Sequence, residues 1–137
     1  MLTGTHMRKE VEQWWKQARK DLETAQHCSQ SKDYYACAFF CHQAVEKGLK
    51  ALYIEKNRVS PGTTHSLIHL ASEVNMPAGF FSFLRQLTPV FVTTRYPDAA
   101  YGVPYELFDE AIAGEILEKS RGVIEWIGSQ IETSKTG

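Results

Sequence analysis

The sequence has neither a long apolar run nor an excess of charge of one sign. Its 137 residues include 15 Lys and Arg against 16 Asp and Glu, for a formal net charge of −1. This balance argues against a general nucleic-acid binder, because such proteins usually carry a strongly basic surface. No stretch approaches the roughly 20 apolar residues of a transmembrane helix. We therefore expect a globular domain without a membrane span.

Cysteine is scarce, and its spacing excludes two common uses. Cys28, Cys37 and Cys41 are an odd number, which argues against a disulfide framework, and none of them forms the Cys-x2-Cys pair of a zinc site. His42 could join Cys37 and Cys41 only if it shared their helix face, but it projects about 100° away from Cys41. We expect the thiols to act as small apolar side chains and predict no metal site.

The two ends of the chain carry few structural signals. Residues 1–7 lack the charged start and apolar stretch of a signal peptide. The internal His6-Met7 resembles a cloning remnant, so we exclude residues 1–7 from the domain and His6 from any site. We expect a single domain over residues 8–132, a frayed polar tail over 133–137 and a cytoplasmic location.

Apolar residues recur every three or four positions through most of the chain, and no segment alternates as a strand would. This periodicity predicts an all-α bundle with long first, second and last helices. Asp33 is the expected cap of the second helix, and Thr63 or Thr64 that of the third. Pro89 should kink or break the fourth helix. The predicted helices are 9–30, 34–57, 65–74, 78–93 and 105–131, with a loop from 93 to 104.

The second helix carries polar residues where a core is expected. His42, Glu46 and Lys50 are spaced four apart and therefore line up along one stripe. On spacing alone, the stripe could be a solvated surface with a Glu-Lys pair. The aromatic residues Tyr35 and Phe39 on the same line favour partial burial, which would require partners for Glu46 and His42.

A loop later in the chain offers one such partner. Arg95 is followed by Tyr96, Pro97 and Asp98, which places a planar guanidinium beside a stiff turn. Arg95 could form a structural bridge to Glu46 across a shared recess, or it could receive an anionic ligand. His65, at a predicted helix start, is a second candidate for anion binding or for helix packing.

These segments resemble the HEPN family (higher eukaryotes and prokaryotes nucleotide-binding). The strongest resemblance is residues 41–52, Cys-His-Gln-Ala-Val-Glu-Lys-Gly-Leu-Lys-Ala-Leu, which are similar to the second-helix signature. Residues 15–25, 64–70 and 94–98 fit the family in the same order. The resemblance extends over residues 9–131 and points to a subtype with an Arg-Tyr-Pro-Asp loop.

Membership of this family would imply an up-and-down antiparallel bundle of four to five helices that forms a homodimer. It also implies a minimal nucleotidyltransferase as partner in a two-component, toxin–antitoxin-like system. Some HEPN domains are metal-independent ribonucleases with an Arg-x4-6-His motif at a late helix. Here no histidine follows His69, so the motif is absent from the late helix. Arg58 and His65 have the required spacing, but they lie between the second and third helices, where the motif does not belong.

We therefore favour a non-catalytic module that binds a nucleotide or another phosphate and has no other cofactor. Arg95 and Lys50 would meet phosphate, Tyr96 would stack on a base, and Glu46 would orient Arg95. One alternative is a ribonuclease whose base is relocated to His65 or His42, although nothing in the sequence indicates RNA as a partner. Another is a helical scaffold whose aromatic residues form an interface. The predicted ligand-binding residues are His42, Glu46, Lys50, His65, Arg95, Tyr96 and Asp98.

Overall fold

The computed structural model describes the backbone of residues 4–136 and the side chains of residues 8–134. The side chains of His6 and Met7 lie outside that range, as do residues 1–3 and Gly137. No β-strand occurs within residues 4–136, which confirms the predicted all-α fold. The α-helices of this described part are α1 Gly4–Gln30, α2 Tyr34–Asn57, α3 Leu67–Glu73, α4 Phe81–Leu87, α5 Val90–Thr93, α6 Pro97–Ala100 and α7 Glu110–Thr136; 3-10 helices span Ala78–Phe80 and Pro104–Leu107.

Helix α2 is the central element, and α1 and α7 pack against it. Its bounds coincide with the predicted helix 34–57, and most of its residues are buried. A helix with so wide an apolar surface is stable only when neighbours cover it on several sides. The core side chains that α2 shares with α1, α3, α4 and α7 include Val11, Ala18, Val45, Leu49, Leu52, Leu67, Leu70, Leu84, Val123, Ile127 and Ile131.

Two predicted helix caps are wrong. The Asp33 side chain makes no cap hydrogen bond and instead accepts one from the Ser31 hydroxyl, at 3.1 Å. At α3 the cap is Ser66, whose hydroxyl accepts from the backbone N–H of His69 at 3.1 Å. Thr64 accepts from the backbone N–H of Ser66, so it shapes the turn before the helix.

Pro89 separates α4 from α5, as predicted, and it is the residue that immediately precedes the second of these helices. The segment predicted as a loop contains the single turn of α6, which starts at Pro97. Helix α7 begins later than predicted because Phe108 is extended and the Asp109 carboxylate caps the helix through the backbone N–H of Ile112, at 2.9 Å. At its other end α7 continues to Thr136, within the segment expected to be frayed.

The three long helices approach closely at Trp15. A Cβ atom on Gly48 of α2 would lie 3.1 Å from Ile124 and Ile127 of α7, and one on Gly128 would lie 3.1 Å from the Trp15 ring. The absence of side chains at both glycines therefore makes room for the indole between α2 and α7. Trp14, Phe80 and Phe81 are likewise half-buried against the core.

The cysteines behave as small core residues. Cys37 and Cys41 are buried, Cys28 is partly buried, and all three are free thiols. Interaction with the Cys37 thiol, together with burial, raises the pKa of Cys41, so this thiol stays protonated. Among the described side chains, no group of three His, Cys, Asp or Glu residues is arranged to hold a metal ion. Within residues 4–136, no helix has the length and apolar character required to cross a bilayer.

Candidate functional site

The polar stripe of α2 lies inside the bundle. His42, Glu46 and Lys50 are all buried, so the interpretation of a solvated surface is wrong. A buried charge is costly unless it is paired and hydrogen-bonded. The surroundings of these three residues therefore determine what the site can do.

Glu46 is the centre of the buried group. Its Oε2 atom accepts from Nζ of Lys50 at 3.0 Å and from Nδ1 of His65 at 3.1 Å. The Lys50 ammonium also lies 5.3 Å from the ring centroid of Trp14, within range of a cation–π contact. Oε1 of Glu46 is buried and has no hydrogen-bond partner among the described residues. One carboxylate oxygen is thus doubly paired, while the other is left without a donor.

His65 reaches Glu46 from the connection between α2 and α3. A turn at Gly62, whose φ is +76°, and the Ser66 cap place the histidine one residue before the cap of α3. Its side chain remains 63% exposed while its ring stacks on Phe91, with centroids 5.8 Å apart. Because the carboxylate can only accept, Nδ1 carries the proton and Nε2 is left for solvent or a ligand.

Arg95 also contacts Phe91 and lies two residues after the end of α5. Its guanidinium carbon is 4.0 Å from the Phe91 ring centroid, 4.9 Å from that of Tyr96 and 5.7 Å from that of Phe39. Its Nε atom donates to the backbone oxygen of Phe91 at 2.7 Å, which fixes the plane of the group. Within the described side chains, the two terminal nitrogens have no hydrogen-bond or ion-pair partner. Arginine held in this way presents a planar fork that suits phosphate or carboxylate.

The predicted Arg95–Glu46 bridge is wrong. Glu46 pairs with Lys50 and His65, whereas Arg95 is held by aromatic rings and a backbone oxygen. Phe91 contacts both Arg95 and His65, the histidine that pairs with Glu46. The two residues therefore share a neighbourhood without touching, and Glu46 does not orient Arg95 directly.

The remaining predicted residues differ in how close they lie to this centre. Tyr96 is beside Arg95 and 48% exposed, so its ring has an accessible face. Lys50 forms an ion pair with Glu46 and lies over the Trp14 ring, so its buried ammonium is already paired. Asp98 is on the exposed first turn of α6, and no hydrogen bond or ion pair joins it to the other site residues in the described part of the chain.

His42 is the buried, neutral member of the group. Its pKa is lowered from 6.5 to about 4, mainly by burial; Glu46 opposes the shift, while His65 and Arg95 add to it. The Gln43 amide donates to Nδ1 of His42 at 3.4 Å, which is consistent with a neutral ring protonated on Nε2. The His42 ring also packs against Phe91, with centroids 5.5 Å apart.

This depressed pKa predicts a loss of stability in acid. Between pH 6.5 and 4 the unfolded chain binds a proton at His42 that the native state excludes. The free energy of unfolding therefore decreases by up to about 3 kcal/mol as the pH is lowered through this range. Urea denaturation at several pH values should show this slope in the wild type. His42→Leu should flatten the slope, whereas His27→Ala, at an exposed histidine, should retain it. An equal slope in the wild type and His42→Leu would contradict the assignment.

Sequence reasoning missed the contacts of Phe91 with His65 and Arg95, and it missed a partly buried ion pair on α2. Nζ of Lys47 donates to Asp21 at 2.6 Å, and Gln17 donates to the same carboxylate at 3.0 Å. This pair joins α2 to α1 beside the site stripe. The neighbouring positions of Lys47 and Lys50 on α2 gave a hint, because a partly buried lysine needs an acidic partner.

Two open depressions, of about 630 and 680 Å³, lie on the outer side of α1. Every residue that lines them belongs to α1, and none is a predicted site residue. We interpret them as spaces between side chains of one exposed helix.

Comparison with known proteins places this arrangement in a family. The HEPN domain profile matches residues 11–131, which is most of the chain. The chain belongs to the HEPN family. Its HEPN fold is similar to the crystal structure of TT1696 from Thermus thermophilus, with 26% identity, a TM-score of 0.79, and 88% of this chain and 97% of that chain covered.

A second solved structure has a higher sequence identity to this HEPN chain. ST0689, an archaeal HEPN homologue, is 34% identical, with a TM-score of 0.75 and the same shares of the two chains covered. No curated protein matches this HEPN chain. These likenesses agree with the resemblance of residues 41–52 and with the predicted helical bundle.

Proposed function

We propose that this HEPN protein binds an anionic ligand of the phosphate or nucleotide class through Arg95 and His65. The observation that carries the proposal is the Arg95 guanidinium, which three aromatic rings hold and no described acidic group neutralises. An incoming phosphate could accept two hydrogen bonds from its terminal nitrogens. His65 contacts the same Phe91 ring, and its Nε2 atom could add a third donor when both ring nitrogens carry a proton.

The other site residues act on the ligand indirectly or at its edge. Glu46 fixes the His65 ring, and Lys50 offsets the charge of Glu46. Tyr96 offers its exposed face to a base, which favours a nucleotide over free phosphate. The binding role proposed for Lys50 is thus indirect, and Asp98 would contact a ligand only if the ligand extended over α6.

Arg95→Ala should weaken ligand binding by a factor of about ten to a hundred, because a charge-assisted contact is worth about 1.5–3 kcal/mol. Arg95→Lys should restore only part of it, since an ammonium cannot donate as a planar fork. Calorimetry with ATP, GTP, AMP and inorganic phosphate measures both variants. Arg85→Ala, at an exposed arginine of α4, is the matched control. Absence of binding by the wild type, or equal binding by Arg95→Ala, would refute the proposed site.

The partners implied by the family are part of the same proposal. We infer a cytoplasmic homodimer that associates with a minimal nucleotidyltransferase in a toxin–antitoxin-like pair. The support is HEPN membership together with the anion site, which would suit a partner that handles nucleotides. Sedimentation at micromolar concentration tests the dimer, and co-purification with a nucleotidyltransferase encoded beside this chain tests the pair. A monomer, or no association, would refute the corresponding part.

The geometry also favours a second candidate function, a metal-independent ribonuclease. Glu46 accepts from Nδ1 of His65, and the exposed Nε2 atom could then remove a proton from a 2′-hydroxyl. Arg95 is placed to stabilise developing phosphate charge. Of the two histidines considered as bases, His65 is the candidate because His42 is buried.

RNA cleavage in EDTA tests this second function. His65→Ala should reduce the cleavage rate at least about a hundredfold if the histidine is the base. Glu46→Gln should change the pH profile, because the hydrogen bond that orients the imidazole would be altered. Wild-type protein without activity, or activity that persists in His65→Ala, would exclude this mechanism.

A further inference from the structure

The exposed apolar side chains of this protein are concentrated on one part of the chain. Among the described residues, seven of the nine large apolar side chains that are exposed fall between residues 92 and 112, and an eighth, Tyr35, touches that segment through Tyr105. Large exposed apolar patches on monomers mark interaction sites. We call residues 97–112 together with Tyr35 the tyrosine face; its exposed apolar members are Tyr35, Tyr101, Val103, Tyr105, Leu107 and Ile112.

Tyr101 is the most unusual member of the tyrosine face. Its side chain is 96% exposed, and its backbone is left-handed, with a φ of +54°. Glycine or asparagine is favoured after a helix in this conformation, because a Cβ atom is strained there. The fold gains neither burial nor a favourable backbone from this tyrosine. Strain combined with full exposure of an aromatic ring points to a role in contact with another molecule.

The tyrosine face is anchored to the rest of the protein. Pro104 is buried, and the Tyr35 and Tyr105 rings meet edge to face with centroids 6.5 Å apart. Leu107 lies against Gly102, where a Cβ atom would be 3.6 Å from the leucine side chain. A preformed surface loses little conformational entropy when a partner binds.

Charge identifies the kind of partner. Residues 97–112 contain four acidic residues and no Lys, Arg or His. Phosphate backbones would be repelled by such a surface. A symmetric contact with a second copy would place the same acidic surface against itself. A basic protein surface meets both features, because arginine pairs with carboxylates and stacks on tyrosine rings.

We propose that the tyrosine face docks a different protein through a surface rich in arginine and lysine. This contact uses side chains other than the Arg95 fork and does not depend on a ligand at that site. Aromatic residues at its centre and carboxylates around them would resemble the usual division between binding hot spots and a polar rim. The acidic residues would set the choice of partner and make the contact sensitive to salt.

The test begins with a photo-crosslinking amino acid, p-benzoylphenylalanine, introduced in cells at Tyr101 and, as a control, at Lys16 on the exposed side of α1. A protein crosslinked only from position 101 is identified, purified and titrated against the wild-type chain. We expect Tyr101→Gly to weaken this binding about tenfold or more. The same variant should unfold at an equal or higher temperature, because glycine accepts the left-handed backbone. Glu106→Lys should also weaken binding.

Several outcomes would overturn the proposal. Crosslinking of a second copy or of nucleic acid would assign the tyrosine face to a different occupant. Equal crosslinking from positions 101 and 16, or none from either, would remove the evidence for docking. A captured protein without a basic surface would contradict the proposed chemistry of the partner. Binding that is unchanged by Tyr101→Gly and by added salt would contradict the proposed contact residues and the role of charge.

Discussion

Replacement of Lys50 by methionine should destabilise the protein by about 3–5 kcal/mol, because it removes one partner of a buried ion pair. Glu46 would keep its hydrogen bond to His65 but lose the ammonium at 3.0 Å, and its Oε1 atom already lacks a donor among the described residues. Urea denaturation measures the loss. The matched control is Lys119→Met, which removes a similar i,i+4 pair with Glu115 at the surface. This control should cost far less, because the pair is exposed to solvent.

A double variant keeps the test informative if Lys50→Met fails to fold. Glu46→Leu combined with Lys50→Met replaces both buried charges by apolar groups, and such replacements are often neutral or stabilising. We expect the double variant to recover most of the stability that the single variant loses. If Lys50→Met costs no more than Lys119→Met, the Glu46–Lys50 pair does not stabilise the fold.

Gly48→Leu should destabilise the protein by about 3 kcal/mol or more, because overpacking of a tight core forces neighbouring side chains or backbones to move. Even a Cβ atom at this position would approach Ile124 and Ile127 to 3.1 Å, with the Trp15 ring at 3.6 Å. Thermal or urea unfolding measures the effect. The control is Gly114→Ala in α7, where a Cβ atom meets nothing within 4 Å.

Gly114→Ala should stabilise α7 by about 0.5–1 kcal/mol, since alanine is the better helix former. The two glycine variants therefore have opposite expected signs, although both lie within long helices. A Gly48→Leu protein as stable as the wild type would mean that α2 and α7 are not in close contact at this position.

Periodicity predicted the long helices well because their apolar stripes are long and continuous. The bounds of α2 matched at both ends, and Pro89 interrupted the chain as expected. The predicted start of α7 was wrong because Leu107 and Phe108 continue the apolar pattern of the helix, although the backbone at these two residues is not α-helical. Pattern alone does not distinguish a helical turn from a 3-10 turn followed by a capped helix.

The candidate site was predicted in part. The spacing of His42, Glu46 and Lys50 correctly placed them on one stripe, and their aromatic neighbours indicated burial. Spacing did not reveal which distant residue Glu46 would meet, because His65 and Arg95 were both plausible partners. In the structure Glu46 pairs with His65, while Arg95 is held against Phe91 of the short helix α5.

The way Arg95 is held has a consequence for ligand exchange. An arginine paired with a carboxylate must break that pair before it can bind another anion, and the displaced carboxylate then competes for the vacated position. Aromatic rings fix the guanidinium without neutralising it, so a ligand can arrive and depart with no internal anion to displace. Rapid, reversible occupancy that weakens with ionic strength is the behaviour that this arrangement favours.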